Sequence, residues 1–269
     1  MTSSGLVAQA PGSRLPALSS TASLGTVGLL AGISVWELGA RAVDAVLLPP
    51  FSAVVARLVE LALSGQIAAS LAVSLGNLAL GLLISLSVGI VLGSAMGWWR
   101  SVDYALGPYV NALLTAPSLV FAPIFFSFWG VDRGSIVALI VTYAVFVVIV
   151  NTSVAVKSIP VDLTEMAVSY NATRRQVFWF IVMPAAMPLI MAGVRLAVGR
   201  AVKGMINGEM FIAVVGLGRL IVSSGRQLDV ATVLAVLIVV VAVALVLMRI
   251  VWLVEQRFTG WLPETRRTG

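Results

Sequence analysis

Long apolar stretches alternate with short polar connections along most of the chain. A helix needs about 20 mostly apolar residues to cross the hydrocarbon core of a bilayer. Six stretches meet this requirement, and the second begins near Ile67. The predicted spans are Leu24–Val43, Leu75–Gly97, Ala105–Gly130, Ile136–Val156, Leu189–Ile212 and Thr232–Val254. Pro108, Pro117 and Pro123 interrupt the third span, which we expect to be kinked or broken.

Composition places most of the chain's surface in lipid. Hydrophobic residues make up 60% of the sequence and charged residues 10%, whereas soluble domains are about 45–50% apolar and about 25% charged. Because the chain has no Cys and no His, thiol nucleophiles, disulfides, the common zinc motifs and the usual general base are excluded. We therefore predict no catalytic residue and no metal site. The net charge of +6 fits basic cytoplasmic loops better than binding to nucleic acid.

Three segments follow from this pattern. Residues 1–23 are rich in Ser, Ala, Gly and Pro and carry only one charge, Arg14. They lack the features of a secretory signal peptide, and we predict a flexible cytoplasmic arm. Residues 24–258 are predicted to form the transmembrane domain, and 259–269 a cytoplasmic tail. With the N-terminus inside, nine of the 17 basic residues lie on the cytoplasmic side, five lie outside and three lie within the fifth span, so both termini are predicted to be cytoplasmic.

The second span carries a stripe of small residues, each four positions after the last. Residues four apart lie on one face of a helix, and small side chains there let two helix backbones approach closely. We predict a packing seam, either inside the subunit or between two copies. Its members are Gly81, Ser85, Gly89, Gly93 and Gly97.

The connection between the fourth and fifth spans, residues 158–184, has the pattern of a structured loop. Pro160 ends the preceding helix, and Asp162 or Thr164 can cap a short new one. Asn171 tolerates the left-handed backbone that ends a helix. A second, basic and aromatic helix is predicted over 174–182, with Pro184 closing it. Such a loop offers a docking surface on the cytoplasmic side.

This loop resembles the coupling loop of bacterial ABC importer permeases. The family pattern is Glu-Ala-Ala, three residues, Gly, nine residues, Ile, any residue, a large apolar residue and Pro. Met166 replaces the first Ala and Asn171 replaces the Gly; because Asn accepts a positive φ better than other non-glycine residues, we expect the turn to survive. The residues at the family spacing are Glu165, Met166, Ala167, Asn171, Ile181, Met183 and Pro184.

Further segments extend the resemblance over residues 25–258 and indicate the branch that imports nitrate, sulfonates and taurine. They are Trp36–Leu38, Leu48–Pro50, Ser74–Gly97, Ala116–Gly130, Ala192–Ala197, Gly208–Phe211 and Gly216–Ile221. The resemblance implies an all-α, type I ABC importer permease of about six transmembrane helices in the bacterial inner membrane. It also implies that a set of loop residues couples the chain to an ATPase: Glu165, Met166, Ala167, Asn171, Arg174, Ile181 and Pro184.

The resemblance implies a set of partners as well. A second permease copy would complete the path, two ABC ATPase subunits would bind beneath the coupling loops, and an extracytoplasmic binding protein would deliver the substrate. ATP and Mg would bind to the ATPase subunits, and this chain would bind no cofactor. The sequence agrees, since it contains no GxxxxGK phosphate loop. Membrane lipid would surround the chain, and the helices would alternate access as nucleotide binds.

Basic residues in the fifth span are candidates for the translocation path. At 100° per residue, Arg200, Lys203 and Asn207 lie within about 60° of one another, and both cations would lie about 17–21 Å into a helix that starts near Leu189. Cations facing a path attract an anion such as a sulfonate, nitrate or organic carboxylate. Alternatively, Glu209 or Glu37 pairs with one of these charges, or Arg195 extends to the headgroups. Weaker path candidates are Tyr143, Asn151 and Glu209.

Two other classes of protein remain as alternatives. A self-sufficient secondary transporter of a small anion would normally show an internal repeat or carboxylates in midspan, and only Glu37 and Glu209 offer support. An intramembrane enzyme would need reactive groups that this sequence does not supply.

Overall fold

The computed structural model describes residues 21–43 and 48–259, with side chains over 25–43 and 48–257. Most of the predicted arm and tail therefore lies outside the described residues. All regular structure in the described ranges is helical, with a 3₁₀ turn at Ser118–Phe121 and a π-helical turn at Phe178–Val182. The α-helices are α1 Thr21–Val43, α2 Phe51–Leu63, α3 Gln66–Trp98, α4 Arg100–Thr115, α5 Ala122–Trp129, α6 Arg133–Lys157, α7 Val161–Ser169, α8 Arg174–Val177, α9 Met183–Ile212, α10 Gly216–Arg226 and α11 Val230–Thr259.

Five helical stretches in the described ranges are long and apolar enough to cross a membrane, which confirms the predicted all-α membrane class. They are Gly25–Val43, Gln66–Trp98, Arg133–Lys157, Arg174–Ile212 and Val230–Arg257. A sixth span results if α4 and the segment Ser118–Trp129 are counted as one broken span with a bend of 98°.

The break in this third span occurs at one of its three prolines. Ala116 is extended, with φ −62° and ψ 141°, because a residue before proline avoids the helical region, and Pro117 follows it. Pro108 lies within α4, and Pro123 lies in the first turn of α5, where a missing N–H costs nothing. The predicted interruption is confirmed, and Pro117 is its cause.

The chain divides into two compact units, residues up to Ala53 and residues from Val54 onward. In the first unit, the Trp36 indole N–H donates to the Pro49 carbonyl at 3.1 Å, and its ring meets Phe51 edge to face at 5.4 Å. Glu37 accepts hydrogen bonds from Arg41 and Ser52. Sequence patterning did not predict helix α2.

In the second unit, α2 is tied to the start of α11 by charge. The Arg57 guanidinium donates to Thr232 at 2.7 Å and to Asp229 at 3.3 Å. Burial opposes ionisation of Asp229, but hydrogen bonds from Thr232 and the charge of Arg57 outweigh it, so the Asp229 pKa lies below its usual value. Asp229 is therefore ionised at neutral pH and holds Arg57 in place.

Helix α6 is the centre of the second unit. It is apolar on all sides, and Ile136, Leu139, Ile140 and Ala144 are fully buried. A helix that is hydrophobic all round is expected in a core, and α6 packs between α3 and α9.

The small-residue stripe of α3 lies against α6 within the same chain. A Cβ built on Gly81 would lie 2.5 Å from Ile140 Cγ2, and one on Gly93 would lie 2.6 Å from the carbonyl oxygen of Ile149. Gly89 and Gly97 approach Val148 and Val156 as closely, and Ser85 is fully buried. Of the two packing partners that the stripe allowed, the structure gives the one inside the subunit.

Candidate translocation path and coupling loop

Arg200 lies on α9, level with the middle of α6. The two helices run antiparallel and almost touch at two glycines, because a Cβ on Gly193 would lie 2.5 Å from Asn151 Cβ and one on Gly204 would lie 3.0 Å from Tyr143 Cβ. Arg200 falls between these contacts. Since α6 runs from residue 133 to 157, Arg200 is at the depth of its midpoint, far from either membrane surface.

This part of α9 lines a cavity of about 620 Å³. Its polar lining comes from Asn151, Arg195, Arg200 and Lys203, and its apolar lining comes from α4, α6, α9 and α11. Arg200 and Lys203 are exposed, and neither forms a salt bridge within the described residues. The structure thus places two uncompensated positive charges on one cavity wall at midspan.

Arg195 differs from its two basic neighbours because it is paired. Its guanidinium forms a salt bridge with Glu255 of α11. The acids that the sequence offered as partners are engaged elsewhere: Glu37 pairs with Arg41 at 2.6 Å, and Glu209 lies in a neutral network. Arg195 is therefore paired, as one alternative predicted, but its partner is Glu255, an acid that the sequence did not point to. Glu255 directly follows the last predicted span and is 60 residues from Arg195, so only its position at the end of an apolar run could have drawn attention to it.

The remaining path candidates are arranged differently. Asn207 donates its side-chain amide to the Tyr143 hydroxyl at 2.8 Å, which links α9 to α6. Asn151 lines the cavity, but its amide donates to the Val147 carbonyl at 2.8 Å. The cavity wall therefore unites Asn151, Arg200 and Lys203 and leaves the Tyr143–Asn207 pair outside its lining.

Glu209, near the C-terminal end of α9, is fully buried against the start of α10. Its Oε2 accepts hydrogen bonds from the Ser74 hydroxyl at 2.8 Å and the Gly218 amide at 3.1 Å. The Ser74 oxygen in turn accepts the Leu217 amide at 2.9 Å. These contacts join α3, α9 and the N-terminus of α10, where amide groups and the helix dipole favour an acidic partner. The network does not include the basic residues at midspan.

In the first half of the coupling loop, the predicted turn at Asn171 is confirmed and the predicted side-chain cap of the short helix is wrong. Asn171 has φ 57°, the left-handed conformation expected of a residue that stands in for glycine. Helix α7 begins after Pro160 without a side-chain cap, so neither Asp162 nor Thr164 caps it. Asp162 and Thr164 already lie within the helix. The Thr164 hydroxyl donates to the Val161 carbonyl at 2.7 Å instead.

A capping box that the sequence analysis missed starts the second half of the loop. The Thr173 hydroxyl accepts the Gln176 amide at 3.4 Å, and the Gln176 side chain accepts the Thr173 amide at 2.8 Å. The Thr-x-x-Gln spacing is the known sequence signal for this motif. The box fixes the start of α8, whose first residue is Arg174.

Pro184 does not close the second helix, contrary to the prediction. Residues 174–212 form one 39-residue helical stretch, in which the π-helical turn at 178–182 precedes the proline. The Met183 amide donates to the carbonyl of Phe178, five residues back, and Pro184 has no amide to place. A π-turn shifts the hydrogen-bond register by one residue, so the helix accommodates the proline and continues into α9.

Most of the coupling-loop residues are exposed. Glu165, Met166, Asn171 and Arg174 face away from the core, as does Pro184. Ala167 is buried in the core cluster that also contains Val177 and Val182, and Ile181 is half-buried. The loop is thus anchored by its small apolar residues and presents acidic, apolar and basic side chains outward.

Comparison with known proteins identifies the family. Residues 85–260 match the family described as binding-protein-dependent transport system inner membrane component, which covers more than half of the chain. The chain belongs to this family. It is a membrane-spanning permease subunit of an ATP-driven ABC importer and a multi-pass inner-membrane protein, as the loop resemblance predicted. The secondary-transporter alternative is not favoured.

Individual relatives of this binding-protein-dependent permease agree. The taurine transport system permease protein TauC of Escherichia coli is 29% identical over 91% of each chain. The formylaminopyrimidine transport permease protein ThiX of Halalkalibacterium halodurans is 34% identical over 68% of this chain and 74% of its own. The nitrate import permease protein NrtB of Synechococcus elongatus is 30% identical over 54% of this chain and 52% of its own. The chain lies within the sulfonate, taurine and nitrate branch of these permeases, whose members work with ATPase and substrate-binding partners.

Proposed function

We propose that this permease carries a small anion along the α9 wall on which Arg200 and Lys203 lie. The observation that supports the proposal is the pair of uncompensated cations in a cavity at the depth of the α6 midpoint. A charge at the centre of a bilayer is costly, by roughly 2.5–3.5 kcal/mol on insertion scales, and is kept where it has a function. Two relatives are named for taurine, which carries a sulfonate, and for nitrate.

Two copies of this chain enclose the path. The support is that Arg200 and Lys203 are exposed in the single chain, and charged side chains at midspan cannot face hydrocarbon without cost. A second copy that presents the same wall of α9 would enclose a water-filled path lined by four cations. A heterodimer would require another permease with a complementary wall.

The loop of α7 and α8 docks onto an ABC ATPase subunit, one for each permease copy. Glu165, Met166 and Arg174 provide the exposed contacts, and Asn171 sets the turn. Ala167 and Ile181 anchor the loop in the core cluster, and Pro184 is exposed in the first turn of α9, next to the docking surface. ATP and Mg bind to the ATPase subunits, and this chain has no ATPase site. The loop and both termini lie in the cytoplasm, the binding protein docks outside, and movement of the loop alternates access to the path.

The anion path is tested by neutralising its cations in the reconstituted complex. We expect Arg200→Ala and Lys203→Ala each to lower uptake of taurine, an alkanesulfonate or nitrate by roughly tenfold or more, because a close charge–anion contact exceeds the ~1.4 kcal/mol that corresponds to tenfold. Lys203→Arg should retain most uptake. Arg219→Ala, on an exposed arginine of α10 outside the cavity, is the matched control. Unchanged uptake by correctly folded Arg200→Ala and Lys203→Ala variants would eliminate the anion path.

The docking role is tested by reversing one charge. We expect Glu165→Arg to lose copurification of the ATPase in mild detergent, since Glu165 is exposed on α7 and a like charge disfavours a specific interface. Asp132→Arg is the control, because Asp132 is exposed at the other end of α6 and makes no side-chain cap hydrogen bond. Retention of the ATPase by Glu165→Arg, with its ATP turnover still coupled to uptake, would contradict the assignment.

A further inference from the structure

A second, apolar cavity lies beside the coupling loop and outside the translocation path, and of the proposed ATPase contacts only Arg174 borders it. It has a volume of about 500 Å³ and lies between the last part of α3 and the segment from α8 to the start of α9. Its inner wall includes Ile90, Val91 and Met183. The Ser94 hydroxyl at this wall donates to the Met183 sulfur at 3.7 Å, so the interior presents no free strong hydrogen-bonding group there.

The depth of this groove matches one leaflet of a bilayer. On α3 the lining runs from Ile90 to Trp99, and across the groove from Arg174 to Met183. Nine residue steps at 1.5 Å each give a length of about 13 Å, against about 15 Å for half of the hydrocarbon thickness. The groove therefore extends from the membrane surface to near the bilayer centre.

The mouth of the groove is aromatic and basic. Trp98 packs edge to face against Phe178 at 5.3 Å, while Trp99 and Trp179 are more than half exposed. Tryptophans of this kind are enriched at the level of lipid headgroups. Arg174 and Arg175 stand side by side at the same mouth and are exposed. Neither forms a salt bridge within the described residues.

We propose that this groove binds an anionic phospholipid of the cytoplasmic leaflet. An acyl chain occupies the apolar length between α3 and α9, and the phosphate lies between Arg174 and Arg175. Charge complementarity selects this occupant, since basic pockets between transmembrane helices on the cytoplasmic side bind anionic headgroups. A neutral lipid could fill the groove but would leave both guanidinium groups without an anion.

The lipid connects the membrane to the docking loop. Thr173 caps the helix on which both arginines lie, and Asn171 begins the turn before it, so an occupied groove restrains the loop at the point where it enters the membrane. The placement in the cytoplasmic leaflet rests on the proposed function, because it follows from ATPase docking on α7. The binding itself does not require transport.

The test is native mass spectrometry of the intact complex released from vesicles of equal parts phosphatidylglycerol and phosphatidylcholine. We expect the wild type to retain phosphatidylglycerol in preference to phosphatidylcholine. Each arginine near the surface should contribute about fivefold to this preference and the two together roughly thirtyfold. Arg174→Gln with Arg175→Gln should therefore remove most of it, and Ala95→Phe, which fills the groove, should lower retention of both lipids.

Arg100→Gln is the matched control, because Arg100 begins α4 directly after the end of α3 but hydrogen-bonds to Tyr104 and does not line the groove. Equal retention of the two lipids by the wild type, or an unchanged preference in the double variant, would overturn the proposal. The proposal would also fail if the double variant lost the ATPase but kept its lipid preference, since the two arginines would then serve ATPase docking alone. Failure of Glu165→Arg to release the ATPase would count against the docking role alone.

Discussion

Leucine in place of Gly93 is expected to prevent accumulation of folded protein. A Cβ at this position would lie 2.6 Å from the carbonyl oxygen of Ile149 and 2.6 Å from Thr152 Cβ. The oxygen belongs to the backbone of the central helix α6, so it cannot move aside as a flexible side chain could. Overpacking a core by a few methylenes costs about 1–3 kcal/mol, and here α3 and α6 must separate as well.

Alanine at position 93 is the smaller change, and its effect on stability can be measured. We expect Gly93→Ala to lower the midpoint of thermal unfolding in detergent, measured by size-exclusion chromatography after heating. Gly134→Ala is the control, because a Cβ on Gly134, in the first turn of α6, meets nothing within 4 Å. Equal midpoints for the two variants would mean that α3 and α6 do not pack as closely as the structure has them.

The stripe also shows how far the sequence could predict packing. Spacing of four residues along α3 placed Gly81 to Gly97 on one face, since helix geometry is local. The partner could not be predicted, because α6 is apolar all round and carries no pattern that marks one face as the complement. Which helix pairs with which is decided by contacts between residues more than 50 positions apart.

The coupling loop likewise has one feature that the local sequence predicts and others that depend on distant contacts. The turn at Asn171 could be predicted from residue chemistry alone, since a positive φ depends on one side chain. The continuation of the helix through Pro184 could not, because it depends on a π-turn that forms where Val177 and Val182 pack into the core. The Arg195–Glu255 pair was missed for a related reason: the two residues meet only once α9 and α11 lie side by side.

The structure gives Glu209 a different role from the one that the sequence predicts. By sequence, an acid in a span is a candidate for the path or for pairing with a midspan cation. In the structure it accepts the Ser74 hydroxyl and the Gly218 amide. We expect Glu209→Ala to destabilise the fold severely, because each buried donor left without an acceptor costs about 1–3 kcal/mol. Glu209→Gln, which keeps an acceptor oxygen, should be milder, and the thermal midpoint of the purified chain measures both.

Gly216 provides a second, independent test of the hydrogen-bond network around Glu209. Its φ is +72°, which side chains rarely adopt, and a Cβ there would collide with the Glu209 carboxyl group. Gly216→Ala is therefore expected to lower the thermal midpoint strongly, while Gly225→Ala in the same helix, where a Cβ meets nothing within 4 Å, should not.

The double variant distinguishes the collision from the backbone strain. If Gly216→Ala destabilises the chain by displacing the Glu209 side chain, then Glu209→Ala has already removed the obstacle. The two substitutions together should cost less than their sum, since residues in direct contact do not behave additively. The strain of a positive φ at residue 216 persists in both backgrounds and sets the remaining cost. Strict additivity of the two effects would mean that the carboxyl group does not lie against Gly216 and that α10 is held by other contacts.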